Sequence, residues 1–430
     1  MAAQGKPAAV AAAIIGVLTL GLAWLIVADA TVNRALETGV YGGWVAKSGD
    51  SRVLAVAADR ALFAAKTKGE FDQAAVVARR ALARGPLEVR ALRDLGVIAA
   101  AQGRTLDANR ILGVSAARSL HDGPSHLWLL DQNLRSHRID AVFAEADILL
   151  RQAPERLTAL LPTLVAAGEG QGGVDALAKR LRDDPPWRDA FLENFIPRAK
   201  DPAAAFALLM KLQDTSTPPN PVQARLYLER RLREGAYDQA YLDWLQFLPQ
   251  NVLGHVGNIY DGDFAGAPGP APFNWVLESG VGGVATMGPS PAPNWRTALD
   301  VQYDGTSTAV LAAQHLALPP GRWRLTGVAW TTNIGVPTLG WKVSCAEDDG
   351  HILAKAGVPM GGPGWRRFEV LFDRPDQGCG GQWLRLAAIP GDRENHVEIW
   401  VSGMAIARVA TADAEDGAAS APPAGGNGRR

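Results

Sequence analysis

Few residues in this chain could do chemistry. Two cysteines stand in its last third, Cys345 in WKVSCAEDDG and Cys379 in DQGCGGQWLRL. A metal site needs three or four ligands at spacings such as C-x2-C with partner histidines, and neither cysteine has such a neighbour. A thiol nucleophile needs a histidine and an orienting group brought to it by the fold. A disulfide needs an oxidising compartment. The histidines are scattered, and the nearest pair, His121 and His126, reads as a loop, HDGPSH, with no cysteine framework. The patterns H-E-x-x-H, G-x-x-x-x-G-K-[ST] and G-x-S-x-G are absent. Gly280 to Ala285 spell G-x-G-x-x-A, but TMGPSPAP follows where a dinucleotide loop requires a helix. The acidic clusters AEDDG, from Ala346, and DREN, Asp392 to Asn395, read as solvated turns. No catalytic residue, metal ligand or cofactor is expected.

The binding chemistry on offer is aromatic. Eight of the 13 tryptophans fall between Asn258 and Ala407: Trp275, Trp295, Trp323, Trp330, Trp341, Trp365, Trp383 and Trp400. Most of them should be core, because a half-buried sheet uses tryptophan for area. Trp330 and Trp400 differ, since strand alternation puts them on the polar faces of RWRLTGVAWTT and HVEIWVSGMAI, and Trp295 stands in the loop PAPNWRT. Exposed rings stack on the C–H faces of sugars, and Arg296, Asn333 and Arg385 are placed to bond hydroxyls. The competing reading for each ring is core or second-sheet packing.

The segments that must position these residues divide by composition. Ala8 to Ala28 carry no charge, and their roughly 21 residues make a helix of about 31 Å, the thickness of a bilayer core. Lys6 precedes the run and Asp29 follows, which orients the amino terminus inward and exports the rest. ADA at Ala28 to Ala30 also fits a cleavage site, so signal anchor and cleaved signal peptide both export the remainder. The alanine-rich composition and short leader look bacterial, so the compartment is the periplasm, where paired cysteines bridge. A net charge of −1 argues against a nucleic-acid surface. Residues 31–250 are helical by pattern. KGEFDQAAVVARRALARGP and QGRTLDANRILGVSAARSL place Gly69 and Ala74, then Gly103 and Ala108, one 34-residue period apart. The next unit, SHRIDAVFAEADILLRQAP, brings His137 and Ala141, and REGAYDQAYLDWLQFLP repeats the theme with Gly235 and Ala240. The small residue lets two helices approach, and the glycine ends the first of them.

Residues 255–410 read as strands. RWRLTGVAWTT puts Trp323, Leu325, Gly327 and Ala329 on one face; GWKVSC groups Trp341, Val343 and Cys345; HVEIWVSGMAI groups Val397, Ile399 and Val401. The helical region resembles tetratricopeptide repeats, with degenerate units between about Gly173 and Asp214. The strand region resembles carbohydrate-binding jelly rolls: Asp261, Gly262, Asp263 and Phe264 open it, Trp275 follows, Pro320, Gly321 and Trp323 to Leu325 start a strand, and Trp365 and Phe372 close it. Ala265 stands where an acid often follows the opening phenylalanine, so the structural calcium of many such modules is not implied. Cys345 ends a strand and Cys379 sits in a glycine-rich turn; a bridge between them would stabilise by roughly 3 to 4 kcal/mol.

The fold class expected is multidomain, α then β: an N-terminal transmembrane helix or signal anchor (1–30), an α-solenoid of helical hairpins (31–250), an antiparallel jelly-roll sandwich (255–410) and a disordered tail (411–430). This architecture resembles membrane-anchored proteins of bacterial exopolysaccharide assembly. The resemblance implies a protein partner on the repeats and a glycan on the jelly roll; the apolar run adds the inner membrane as a partner of the N-terminal helix, and the net charge implies no nucleic acid. The rival expectations are an enzyme acting on polysaccharide, which lacks a separate catalytic domain to hold its paired carboxylates, and a structural scaffold without sugar affinity. If the chain is exported after the apolar run, a reporter active only in the cytoplasm and fused at Gly69 should be silent, and an active fusion would reverse the topology.

Overall fold

The computed structural model describes residues 6–39, 47–280, 282–335, 338–361, 364–391 and 396–409. DREN and the C-terminal tail lie outside these residues. The chain divides into two compact units, Met1–Phe191 and Leu192–Arg430.

The first unit is helical. Helix α1 (Lys6–Thr38) contains a candidate membrane span, Val17–Thr38. Its apolar side chains from Val17 to Val27 are exposed, whereas Val32 and Ala35 are buried against Val53 of α2 (Ser51–Ala64). Arg52 of α2 donates to Asp29 at 2.7 Å and to Asn33 at 2.5 Å, so α1 is held beyond the end of its apolar run. Helices α3 (Lys68–Arg84), α4 (Val89–Ala101), α5 (Thr105–Arg118), α6 (Gly123–Arg135) and α7 (Ile139–Gln152) follow, with α2 packing on α3, α4 on α5 and α6 on α7. Helices α8 (Leu157–Glu169) and α9 (Gly173–Leu181) complete the unit, and α10 (Arg188–Arg198) straddles the boundary.

The 34-residue period is present, but two of its marks move. Gly103 has φ +73 and ends α4. Gly69 instead lies inside α3, because Thr67 and Glu70 form a capping box that starts that helix earlier. In the third unit His137 takes the left-handed position without being glycine, at φ 53. The fully buried residue there is Val142, not Ala141, which is only half-buried. The buried positions are thus Ala74, Ala108 and Val142. HDGPSH is not a free loop either. His126 falls in α6, buried, with its Nδ1 2.6 Å from Glu145; that hydrogen bond raises the imidazole pKa against the effect of burial.

In the second unit α11 (Pro202–Gln213), α12 (Pro221–Arg233), α13 (Tyr237–Gln246) and α14 (Gln250–Leu253) precede eleven strands. In chain order these are β1 (Val276–Leu277), β2 (Ser279–Gly280), β3 (Gly283–Pro289), β4 (Thr297–Tyr303), β5 (Val310–Leu316), β6 (Gly321–Trp330), β7 (Leu339–Cys345), β8 (Ile352–Gly357), β9 (Arg366–Arg374), β10 (Gln382–Ala388) and β11 (Val397–Arg408). They form two antiparallel sheets, one of five strands in the order β1-β5-β10-β7-β8 and one of six in the order β2-β3-β4-β11-β6-β9. Neighbours such as β5 and β10, or β4 and β11, are far apart in sequence, so the chain crosses repeatedly between the layers of a jelly-roll sandwich.

The inward faces follow the sequence alternation. Leu325, Trp341, Val343, Leu384, Leu386, Val397, Ile399 and Val401 share one core with Phe264 and Trp275, whose rings lie 4.9 Å apart. Buried amides close the layers: Gln314 exchanges both its groups with the Tyr260 backbone, and Gln382 bonds Leu318 N and Cys379 O. Cys345 and Cys379 are bridged, with Cα atoms 4.9 Å apart. The bridge ties the end of β7 to the turn before β10.

Ala108 is fully buried beside Ala99 and Leu112. Ala108→Trp should overpack that contact and cost on the order of 1 to 3 kcal/mol in a denaturation curve. An unchanged midpoint would show that the position is not a packing contact.

Candidate functional site

Of the eight clustered tryptophans, only Trp275, Trp323 and Trp341 are buried, against the expectation that most would be core. The other five sit half-buried on outward strand positions or in loops. A strand can commit only one face to the sandwich core, and these rings occupy the other.

On the six-stranded sheet the site is built from β11. Val397, Ile399 and Val401 are completely buried, which turns Glu398 and Trp400 outward. The register pairs Trp400 with Asp300 of β4 on one side and with Trp330 of β6 on the other. The two indole rings lie 4.8 Å apart at 66°. Asp300 Oδ1 is buried and makes no hydrogen bond among the described residues. Burial, and after it the charge of Glu398, raise the Asp300 pKa above the ordinary carboxylate value.

Asn333, expected to bond ligand hydroxyls, is used by the fold. Its Oδ1 accepts from Glu398 N and from Thr331 Oγ1, and its Nδ2 donates to His396 O. This turn therefore fixes the end of β11 that carries Glu398 and Trp400. Trp295 lies 6.3 Å from Trp365, and its ring covers Gly403, where an added Cβ would stand 2.2 Å from the indole. Gly403 has φ +58 within the irregular stretch between Ser402 and Ala405, so the residue that suits the backbone also makes room for the ring. Trp365 precedes Arg366, which pairs with Ala329, the neighbour of Trp330. Arg296 is exposed beside Trp295. Trp295, Arg296, Trp330, Asn333 and Trp400 thus all belong to the six-stranded side.

Arg385 belongs to the other sheet. It pairs with Ala313 and Lys342, and its guanidinium lies 4.8 Å from the centre of the Trp383 ring. Trp383, counted among the clustered tryptophans but not singled out as a candidate site residue, shares that outward face because Leu384 and Leu386 point inward; the alternation in QWLRLAA was the available signal. Here the AEDDG cluster is more than a solvated turn. Asp349 accepts from Lys342 Nζ at 2.9 Å, from Ser344 Oγ at 2.7 Å and from Arg385 Nη1, while Glu347 accepts from Gly380 N.

Helices α12 and α13 lie over this sheet. Tyr237 stacks on His315 at 5.7 Å, and Trp244 donates to Pro270 O and packs on Tyr260 and Phe273. Burial, helped by Arg385, holds the His315 pKa down to about 3, and its ring nitrogens make no hydrogen bond among the described residues. Two cavities adjoin Trp383. One, of about 430 Å³, is walled by Arg225, Glu229, Glu278 and Arg385; the other, of about 550 Å³, by Arg233, Tyr237, His315 and Glu347. Arg225 pairs with Glu229 at 2.6 Å and Arg385 with Asp349, while Glu278, Arg233 and Glu347 have no ion-pair partner among the described residues. The opening Asp261 likewise spends its carboxylate on the backbone N–H groups of Ala265, Gly266 and Ala267. No group of three or more metal-ligating side chains occurs among the described residues.

No protein-family model matches the chain, and no curated protein does. Among solved structures it is similar to a carbohydrate-binding module described under CBM4 structure and function, at 12% identity and a TM-score of 0.28, over 35% of this chain and 99% of that one. It is also similar to TmCBM61 in complex with β-1,4-galactotriose, at 14% identity and a TM-score of 0.26, over 36% of this chain and 100% of that one. A third is the enzymatically active domain of bacteriophage CBA120 tailspike protein 4, at 12% identity and a TM-score of 0.26; the match covers 36% of this chain but only 22% of the tailspike chain.

Burial works against the Asp349 charge, but the hydrogen bonds from Lys342 and Ser344 and the charge of Arg385 outweigh it and lower the pKa to about 2. The stability this contributes is complete above the unfolded carboxylate pKa, near 4, and is lost as pH falls toward 2. Asp349→Asn should therefore narrow its deficit in Tm relative to wild type as pH drops from about 5 to 2; a constant deficit would mean that the carboxylate is not held by these partners.

Proposed function

We propose that this protein is a non-catalytic, membrane-anchored scaffold that binds glycan through the outer face of its six-stranded sheet. The observation that carries the reading is the Trp330–Trp400 pair, two half-exposed rings packed 4.8 Å apart on a sheet face whose core side is already filled by Val397, Ile399 and Val401. A sugar ring lying on such a pair trades water for C–H contact with the indoles, and the flanking carboxylates accept from hydroxyls. The Trp383 face supports binding less well, because one side of that ring carries Arg385, which is itself paired with Asp349.

Export to the periplasm follows, in this reading, from the apolar run of α1 and from the disulfide, which belongs in an oxidising compartment. The helical hairpins, similar to tetratricopeptide repeats in their 34-residue period, carry exposed Phe63 and Leu106 as contacts for a protein partner. Together these features suit a role in polysaccharide assembly or export, with no catalytic step of its own.

The test is a glycan screen on the full chain, in a detergent without a sugar headgroup, comparing wild type with Trp330→Ala and Trp400→Ala. Loss of either ring should cost on the order of 2 kcal/mol, about thirtyfold in Kd. Tm should change little, since a cross-strand surface pair contributes roughly 0.2 to 1 kcal/mol. Variants that unfold would show the rings to be structural; variants that bind as wild type would place the site elsewhere.

A further inference from the structure

The tryptophan pair does not stand alone on its face. Asp300 is the cross-strand neighbour of Trp400, and Glu398 lies two residues along β11 on the same outward side. Neither carboxylate has an ion-pair partner among the described residues, and burial first, then the charge of Glu398, make Asp300 harder to ionise. The cross-strand neighbours nearest them are Thr286, paired with Asp300, and Gln302, paired with Glu398; both are uncharged. Arg367 pairs with Val328, one step along the same face from the Trp400–Trp330 row, and makes no contribution to the Asp300 shift. Some acids elsewhere in this unit are ion-paired: Asp349 takes Lys342 and Arg385, Glu234 takes Arg230 and Arg231, and Glu229 takes Arg225. The two acids beside the tryptophan pair are not, and one oxygen of Asp300 is buried with no donor among the described residues.

A neutral sugar would give these carboxylates hydroxyl hydrogen bonds but leave their mutual repulsion in place. A ligand that brings a cation relieves both, and an ammonium group near the indoles gains from their negative faces as well. The required ligand has a pyranose ring for the tryptophans and an amine on the ring for the acids.

We propose, resting on the glycan-binding reading above, that the Trp330–Trp400 platform selects a glycan containing free amino sugar, with its ammonium seated between Asp300 and Glu398. An N-acetylated amino sugar has no charge to offer there, and its bulk meets two carboxylates rather than an amide-sized pocket.

The experiment measures binding of the full chain, at pH 6 and about 0.15 M salt, to three oligosaccharides of equal length and β-1,4 linkage: glucosamine, N-acetylglucosamine and glucose. The glucosamine oligomer should bind at least tenfold tighter than the other two. Asp300→Asn and Glu398→Gln should each shrink that preference, and the double variant should abolish it while keeping residual affinity for the glucose oligomer. Equal or tighter wild-type binding to the acetylated or glucose oligomer overturns the amine selectivity and leaves the platform intact. A preference that survives in the double variant overturns it too, assigning it to the general charge of the protein. Trp330→Ala and Trp400→Ala binding the glucosamine oligomer as wild type overturns the platform itself. Binding to none of the three overturns the amine selectivity, and the platform then stands or falls on the wider screen.

Discussion

β11 can bury only one of its two faces. With Val397, Ile399 and Val401 driven completely out of water, and each such side chain worth roughly 1.5 to 3 kcal/mol, a one-residue slip would exchange three core residues for Glu398 and Trp400. That cost holds the strand in register with both its neighbours. The exposure of Trp400, its contact with Trp330 and its position beside Asp300 all follow from it. The Thr331–Asn333 turn reinforces the same register at its end by bonding the backbone on both sides of Val397. The placing of these rings is a by-product of core packing.

The two sheets solve the same problem differently. An outward tryptophan leaves apolar area that must be covered or used. On the five-stranded sheet the chain covers it: Tyr237 of α13 stacks on His315, Trp244 packs against Tyr260 and Phe273, and Arg385 lies across Trp383. His315 stays neutral under this cover, since charging it would strand an imidazolium away from water. On the six-stranded sheet the cover among the described residues is one tryptophan against another and Trp295 over Gly403. The contrast extends to charge. Asp349 on the covered face is paired with Lys342 and Arg385; Asp300 and Glu398 on the open face have no such partner among the described residues.

The helical unit runs on a repeating geometric rule. A residue in the left-handed conformation ends one helix, and five positions later a fully buried residue meets the preceding helix: Gly103 with Ala108, His137 with Val142. Gly235 and Ala240 repeat the same offset in the second unit. Histidine at 137 shows that the backbone conformation recurs even where the residue best suited to it does not. That is why a glycine search finds the period and misplaces some of its marks. Gly69 misleads for the opposite reason: it is a glycine with no turn to make, because the Thr67–Glu70 box has already begun the helix.

Much of this protein was legible in its sequence. Alternation is a local property, so the inward faces of β6, β7 and β11 and the outward placing of Trp330 and Trp400 could be read directly. The same holds for the apolar run of α1 and the helical period. The cysteine pairing was legible once export was inferred, since only two thiols were available. The sequence could not say which outward residues would meet, because that depends on strand neighbours more than 60 residues apart, such as Trp330 and Trp400. It could not separate Arg385 from the other site residues, since sheet membership is decided by crossovers. It could not show that Asn333 would be consumed by backbone bonds, or that Asp300 and Glu398 would flank the rings. The faces were set by each strand's own pattern of burial; the site was set by which strands the sandwich brought side by side.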